Sequence, residues 1–191
     1  MIWVPDPAHS TLEFAVKHMM ISTVRGRFTR FGGVFDIDDE QPERSRIQGT
    51  IETASLDSGD AARDGHLKSV DFFDVEKYPA ITFQGTQVQR VGDDRFKVVG
   101  DVTIRDVTRD VVFDVVYEGR VKDIFGVQRL GFTAQTTLNR KDFGLNWNMM
   151  LEAGGWAVGD QVRVTFEVEA IPQQATAAAH AEAEAEAQVT A

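Results

Sequence analysis

The chain has 191 residues, no cysteine and a net charge of -10 at pH 7, which fits one domain of ordinary size with a short extension. The missing cysteine removes disulfides, thiolate metal sites and cysteine nucleophiles, and the acidic balance disfavours nucleic acid and anionic membrane surfaces, which need a basic patch. The sequence holds no apolar run long enough for a transmembrane helix.

The first residues, Met1-Ile2-Trp3-Val4-Pro5-Asp6, enter fold sequence without a basic n-region or an apolar h-region. The expected location is the cytoplasm, or the periplasm or exterior if the chain is a processed form. Apolar residues then recur at period two, the pattern of strands with one buried face. Leu12, Phe14 and Val16 alternate with Glu13, Ala15 and Lys17. Gly33, Phe35 and Ile37 alternate with Val34, Asp36 and Asp38, and Ile51 follows Gly49. The pair Gly32-Gly33 suits a bulge or a barrel corner. From Asp60 to Asp74 the rhythm changes: Asp60 to Ser69 predicts a short helix despite Gly65, and Phe72 and Phe73 behind it could anchor a cover over one barrel mouth. Tyr78-Pro79 returns the chain to extended geometry. Strand patterns resume at Ile81-Phe83, Phe96-Val98, Val102-Ile104, Val111-Phe113-Val115, Leu130 to Leu138 and Val162 to Val168. Roughly eight strands separated by turn residues predict an all-β barrel or sandwich over residues 1–172. Residues 173–191 alternate Ala and Glu at their centre, which gives a helix no distinct apolar face and predicts a disordered tail.

Motifs for polar catalysis are absent. His9, His18 and His66 have no carboxylate or second His at ligand spacing, and His180 lies in the tail. There is no G-x-S-x-G elbow, dinucleotide fingerprint or P-loop. Acidic residues such as Asp36, Asp38, Asp114, Glu167 and Glu169 alternate outward and read as solvated strand faces. No catalytic residue, metal or cofactor is predicted. Thirteen Phe against two Tyr suit either a filled core or a ligand cavity, and composition does not separate the two.

The ordered motifs resemble the YceI-like family of lipocalin-like polyisoprenoid-binding proteins. They begin with Trp3-Val4-Pro5-Asp6-Pro7-Ala8-His9-Ser10, Phe14-Ala15-Val16-Lys17-His18 and Val24-Arg25-Gly26-Arg27-Phe28. Arg63-Asp64-Gly65-His66-Leu67-Lys68-Ser69, Asp71-Phe72-Phe73-Asp74 and Lys77-Tyr78-Pro79 follow, then Gly100 to Arg109 and Asn139-Arg140-Lys141-Asp142-Phe143-Gly144. The resemblance spans about residues 3 to 171. It departs at Asp101 and Asp106, which stand where Leu and Gly are usual; Asp106 tolerates the positive φ expected of that turn.

The resemblance implies an extended eight-stranded antiparallel barrel, often a homodimer, whose apolar tunnel holds an isoprenoid lipid such as a polyprenyl chain or isoprenoid quinone. The candidate lining is Leu12, Phe14, Val16, Phe35, Ile51, Phe83, Phe113 and Phe132, with Phe72 and Phe73 from the helical excursion. His18, Arg140 and Asp142 are candidates for a head group at one end, with an Arg140–Asp142 structural pair as the alternative. Met19, Met20, Met149 and Met150 suit an adaptable surface near an entrance or plain core filling. Two further readings stay open: an enzyme on an apolar substrate with His18 or His66 as acid/base, and a stress-associated interaction module with a solid core.

Overall fold

A computed structural model describes residues 1–174; most of the Ala/Glu tail lies outside these residues. Strands β1 (Ile2–Pro5) and β2 (Thr11–His18) are halves of one bent strand. So are β3 (Ser22–Phe28) and β4 (Phe31–Asp36), and then β5 (Arg46–Glu52) and β6 (Leu56–Asp57). Helix α1 (Ala61–Lys68) precedes β7 (Ala80–Arg90), β8 (Arg95–Ile104), β9 (Val107–Lys122), β10 (Gln128–Asn139) and β11 (Val158–Pro172).

Counted with the bent strands joined, eight antiparallel rungs follow one another in chain order. The ring closes where the last strand meets the first: β11 pairs with β2 through Phe166 and Leu12 and with β1 through Pro172 and Trp3. The sheet is thus a closed up-and-down barrel, lipocalin-like as the resemblance implies, and the barrel rather than the sandwich that periodicity left open. β1 and β3 carry no clear sequence signal. β1 is only four residues long, and β3 puts Gly26 where the period calls for an apolar side chain.

Several local expectations shift. Gly32-Gly33 forms no bulge, since β4 pairs with β5 in unbroken register from Phe31 to Asp36. Gly33 instead permits close strand approach, because a Cβ there would meet the Gln48 carbonyl oxygen at 2.6 Å. Single-residue bulges fall at Thr86 in β7 and at Glu118 in β9, beside Gly119 at φ 123°, and a third register shift lies between Val158 and Val162 in β11. Each of the first two inserts one residue and reverses which side chains face inward. In the two-residue turn between β8 and β9, Arg105 rather than Asp106 takes the positive φ, at 59°. The guanidinium of Arg105 lies 5.4 Å from the Tyr78 ring, a cation–π contact that helps hold the turn.

Helix α1 forms where the sequence predicts it. Asp60 caps it by accepting a 2.8 Å bond from the Arg63 N–H, and Gly65 is exposed, so its helix penalty of about 1 kcal/mol is not compounded by lost packing. The excursion carries Leu67, Phe72 and Phe73 onto a cluster with Phe28, Leu56, Phe143 and Leu145 that closes one end of the barrel. A second cluster of Trp3, Phe35, Leu130, Val168 and Ala170 lies towards the other end.

One ion network secures the ring near that second cluster. Arg129 donates to Asp6 at 2.7 Å, to Asp123 at 2.8 Å and to Glu169, linking the β1–β2 bend, the β9–β10 hairpin and β11. Burial opposes ionisation of Asp6, but bonds from His9, Arg129 and the Ala8 N–H together hold its carboxyl below its ordinary 3.8. Arg129 likewise depresses Asp123, against a smaller opposing effect of burial. Both carboxyls therefore titrate lower in the folded state than unfolded. Their contribution is complete above 3.8 and is lost as pH falls through the depressed folded values. Arg129→Ala is expected to destabilise the protein at neutral pH, because it leaves the Asp6, Asp123 and Glu169 carboxylates without their shared cation. Urea denaturation at pH 7 and pH 3.5 checks this: the wild type should lose stability in acid, and the variant should show a smaller acid-induced loss.

Candidate functional site

The barrel is not solid. A cavity of about 770 Å³ runs along its lumen, within the roughly 300–1,000 Å³ of small-molecule sites. Its walls come from alternate residues of nearly every strand. Leu12, Phe14 and Val16 of β2 face in, as do Phe35, Ile51, Phe83, Phe113 and Phe132. Phe72 and Phe73 reach it from the α1 excursion. The lumen is therefore aromatic and aliphatic along most of its length.

Two packing devices keep the space open. Phenylalanine rings pair edge to face along the wall over an intervening strand, with Phe83 and Phe113 centroids 5.4 Å apart and Phe31 and Phe166 5.1 Å apart. Other rings lie over glycines on neighbouring strands. A Cβ on Gly26 would meet Phe14 Cζ at 2.4 Å, and one on Gly100 would meet Phe83 Cε2 at 2.5 Å. The missing side chains let these rings lie against the wall, leaving the axis free.

The two ends differ. At the α1 end Phe28, Leu56, Phe72, Phe143 and Leu145 are all buried, and the cavity stops against them. At the other end Asp39, Arg90, Asp93 and Arg120 are solvent-exposed yet also line the cavity, so it opens there. The β4–β5 loop borders this mouth. Asp38 shapes it by accepting the Glu40 and Gln41 N–H groups, and Asp39 accepts a 2.5 Å bond from Arg120. Asp38 thus belongs to the mouth rather than to an outward strand face. Arg120 also lies 5.6 Å over the Trp3 ring. These rim groups carry no sequence signal, because they come from loops and from strand segments beyond the bulges.

The three candidates for a head-group site do not come together. His18 ends β2 on the outside, where the chain turns through Met19 and Met20 at φ 51° and 64°, and it does not line the cavity. Asp142 is exposed on the 3-10 turn Arg140–Phe143 and is likewise outside. Arg140 reaches the cavity but is otherwise engaged. Its guanidinium donates to the carbonyls of Gly159 at 2.8 Å, Leu145 at 2.6 Å, Trp147 at 2.8 Å and Val158 at 3.3 Å. Its nearest carboxylate is Asp160 at 3.6 Å, not Asp142. Burial pushes its pKa down, offset partly by Asp160. Arg140 is thus a fastening for residues 140–159, which close the α1 end. The four methionines sit around that closed end and are exposed, so they neither fill the core nor border the mouth.

None of His9, His18 and His66 lines the lumen. His66 bonds Asp71 at 3.0 Å and packs edge-on against Trp147, with centroids 4.5 Å apart. Asp6, His9 and Glu169 bring ligand atoms within 4.8 Å of one another, but Arg129 already bonds both carboxylates and serves as their cation. No helix among the described residues is long and apolar enough to cross a membrane.

Known proteins share this architecture. The YceI-like domain family matches residues 3–170. The chain belongs to the YceI-like family. A UPF0312 protein of Pseudomonas putida is 38% identical over 166 residues, covering 87% of this chain and 83% of its own. The crystal structure of BcnA from Burkholderia cenocepacia superposes with a TM-score of 0.76 at 24% identity, over 86% of this chain and 98% of BcnA. A polyisoprenoid-binding domain from Saccharophagus degradans, implicated in plant cell wall breakdown, gives 0.62 at 16% identity, over 88% and 97% of the two chains. At these identities the two structural likenesses are ones of fold.

Arg140→Met is expected to destabilise the protein by about 3–5 kcal/mol, since it strands several buried carbonyls at once. Thermal unfolding would measure this, and hydrogen exchange should show the loosening concentrated in residues 140–159. Equal loosening around the whole ring would contradict the local role.

Proposed function

We propose that this protein binds and carries, or sequesters, an isoprenoid lipid (a polyprenyl chain or an isoprenoid quinone) with its apolar chain inside the barrel. The observation that carries this reading is the shape of the cavity together with its lining. The lumen is apolar along most of its length, with Arg140 at the floor bonded to backbone carbonyls and exposed charged side chains gathered at the mouth. A long hydrocarbon lowered into it leaves water along its length, at about 0.8 kcal/mol for each buried CH₂. A polar head would remain at the mouth beside Arg90 and Arg120.

The fold shared with a polyisoprenoid-binding domain supports the same reading. The reading needs no further cofactor and no catalytic group. The acid/base alternative finds no histidine in the lumen among the described residues, and a solid interaction module does not fit a cavity of this size.

Mass spectrometry of organic extracts from gently purified protein tests the proposal. A long-chain polyprenol or isoprenoid quinone is the expected finding. Recovery of no lipid, together with no uptake of either class in solution, would sink it. Gly26→Ala sharpens the test. The new methyl must push the Phe14 ring towards the lumen axis, so long chains should bind about tenfold or more weakly, alongside a stability loss of about 1–3 kcal/mol. Unchanged affinity for long chains would show that the ligand does not occupy the lumen beside Phe14.

A further inference from the structure

The hairpin joining β9 to β10 extends past the mouth and carries the two most exposed large apolar side chains among the described residues, Ile124 at 93% and Phe125 at 84%. It is not a loose loop. Asp123 accepts N–H bonds from Phe125 and Val127, both at 2.9 Å, and its backbone pairs with Val127 and Gly126. Its other carboxylate oxygen is taken by Arg129 at 2.8 Å. A rigid turn therefore holds two apolar residues in water, an arrangement that disfavours the isolated protein and implies a partner.

The charges beside them indicate which partner. Because Asp123 turns its carboxylate inward, it presents little negative charge at the tip, with its side chain 16% exposed. Lys122 is exposed, and its stem passes over Gly126, with Cε 3.5 Å from where a Cβ would stand. Two apolar side chains with an adjacent ammonium match the layers of a bilayer surface, acyl boundary below and phosphate above. The same strand supplies Tyr117 and Arg120 to the cavity wall, so the tip is continuous with the mouth. A ligand of the class proposed above resides in membranes and must cross that boundary.

We propose that the β9–β10 hairpin docks the open end of the barrel onto a phospholipid surface, with Ile124 and Phe125 inserted and Lys122 on the lipid phosphates. The inference rests on the lipid-carrying reading for its purpose but not for its test. Flotation with empty phosphatidylcholine vesicles should carry the wild type upward. The double variant Ile124→Ser and Phe125→Ser should partition about tenfold or more weakly, yet take up a detergent-dispersed polyprenol as the wild type does. A control pair at the closed end, Met149→Ser and Trp156→Ser, alters exposed apolar residues away from the mouth and should float normally. The proposal is overturned if the wild type stays with the soluble fraction, if the hairpin variant floats equally well, or if only the closed-end variant is lost from the vesicles. Flotation without uptake of either a polyprenol or an isoprenoid quinone would uphold the docking surface and reject the lipid cargo.

Discussion

Everything in this molecule depends on the pairing of the last strand with the first. A sheet with two open edges would expose unpaired backbone N–H and C=O groups and could flatten against another chain. Closing it removes both edges and forces alternate side chains into a common interior. The join is made by ladder bonds from Trp3 and Leu12 to β11 and is reinforced by the Arg129 network beside it. The lumen exists because that seam holds.

Closure alone does not make a cavity, since eight strands can be filled by their own side chains. Phe14 over Gly26 and Phe83 over Gly100 place large residues against the wall by pairing them with residues that have no side chain. The floor is made separately. The α1 excursion and residues 140–159 supply Phe72, Phe73, Phe143 and Leu145, and Arg140 ties the second of these segments down from within. A buried arginine bonded mainly to neutral carbonyls is costly to desolvate, so its net contribution is smaller than the loss on removing it, and what it secures is one loop conformation.

Much of this was legible in the sequence because half-buried strands write their orientation in alternating residues. Leu12, Phe14, Val16, Phe113 and Phe132 face the lumen as their period predicts. The helix announced itself through Asp60 and the loss of alternation. What stayed illegible depends on contacts distant in sequence. Closure pairs Trp3 with Pro172, and no local pattern encodes that. Gly26 hides β3 because its apolar partner, Phe14, belongs to another strand. His18 and Asp142 looked suited to a head group by residue type and motif, but type does not tell which way a turn points a side chain. The rim was missed for the same reason.

The bulges of β7 and β9 acquire a different meaning once the mouth is known. Paired without a bulge, the inward series of β7 would run Ile81, Phe83, Gly85, Gln87, Gln89, and that of β9 would end on Val121. With the extra residues, Arg90 and Arg120 turn towards the lumen instead. A slip of one residue in each strand thus brings two arginines to an entrance that already carries Asp39 and Asp93, while leaving the apolar walls below untouched. Which side chains reach the entrance is therefore set by where each strand's alternation slips, independently of the residues that hold the chain inside.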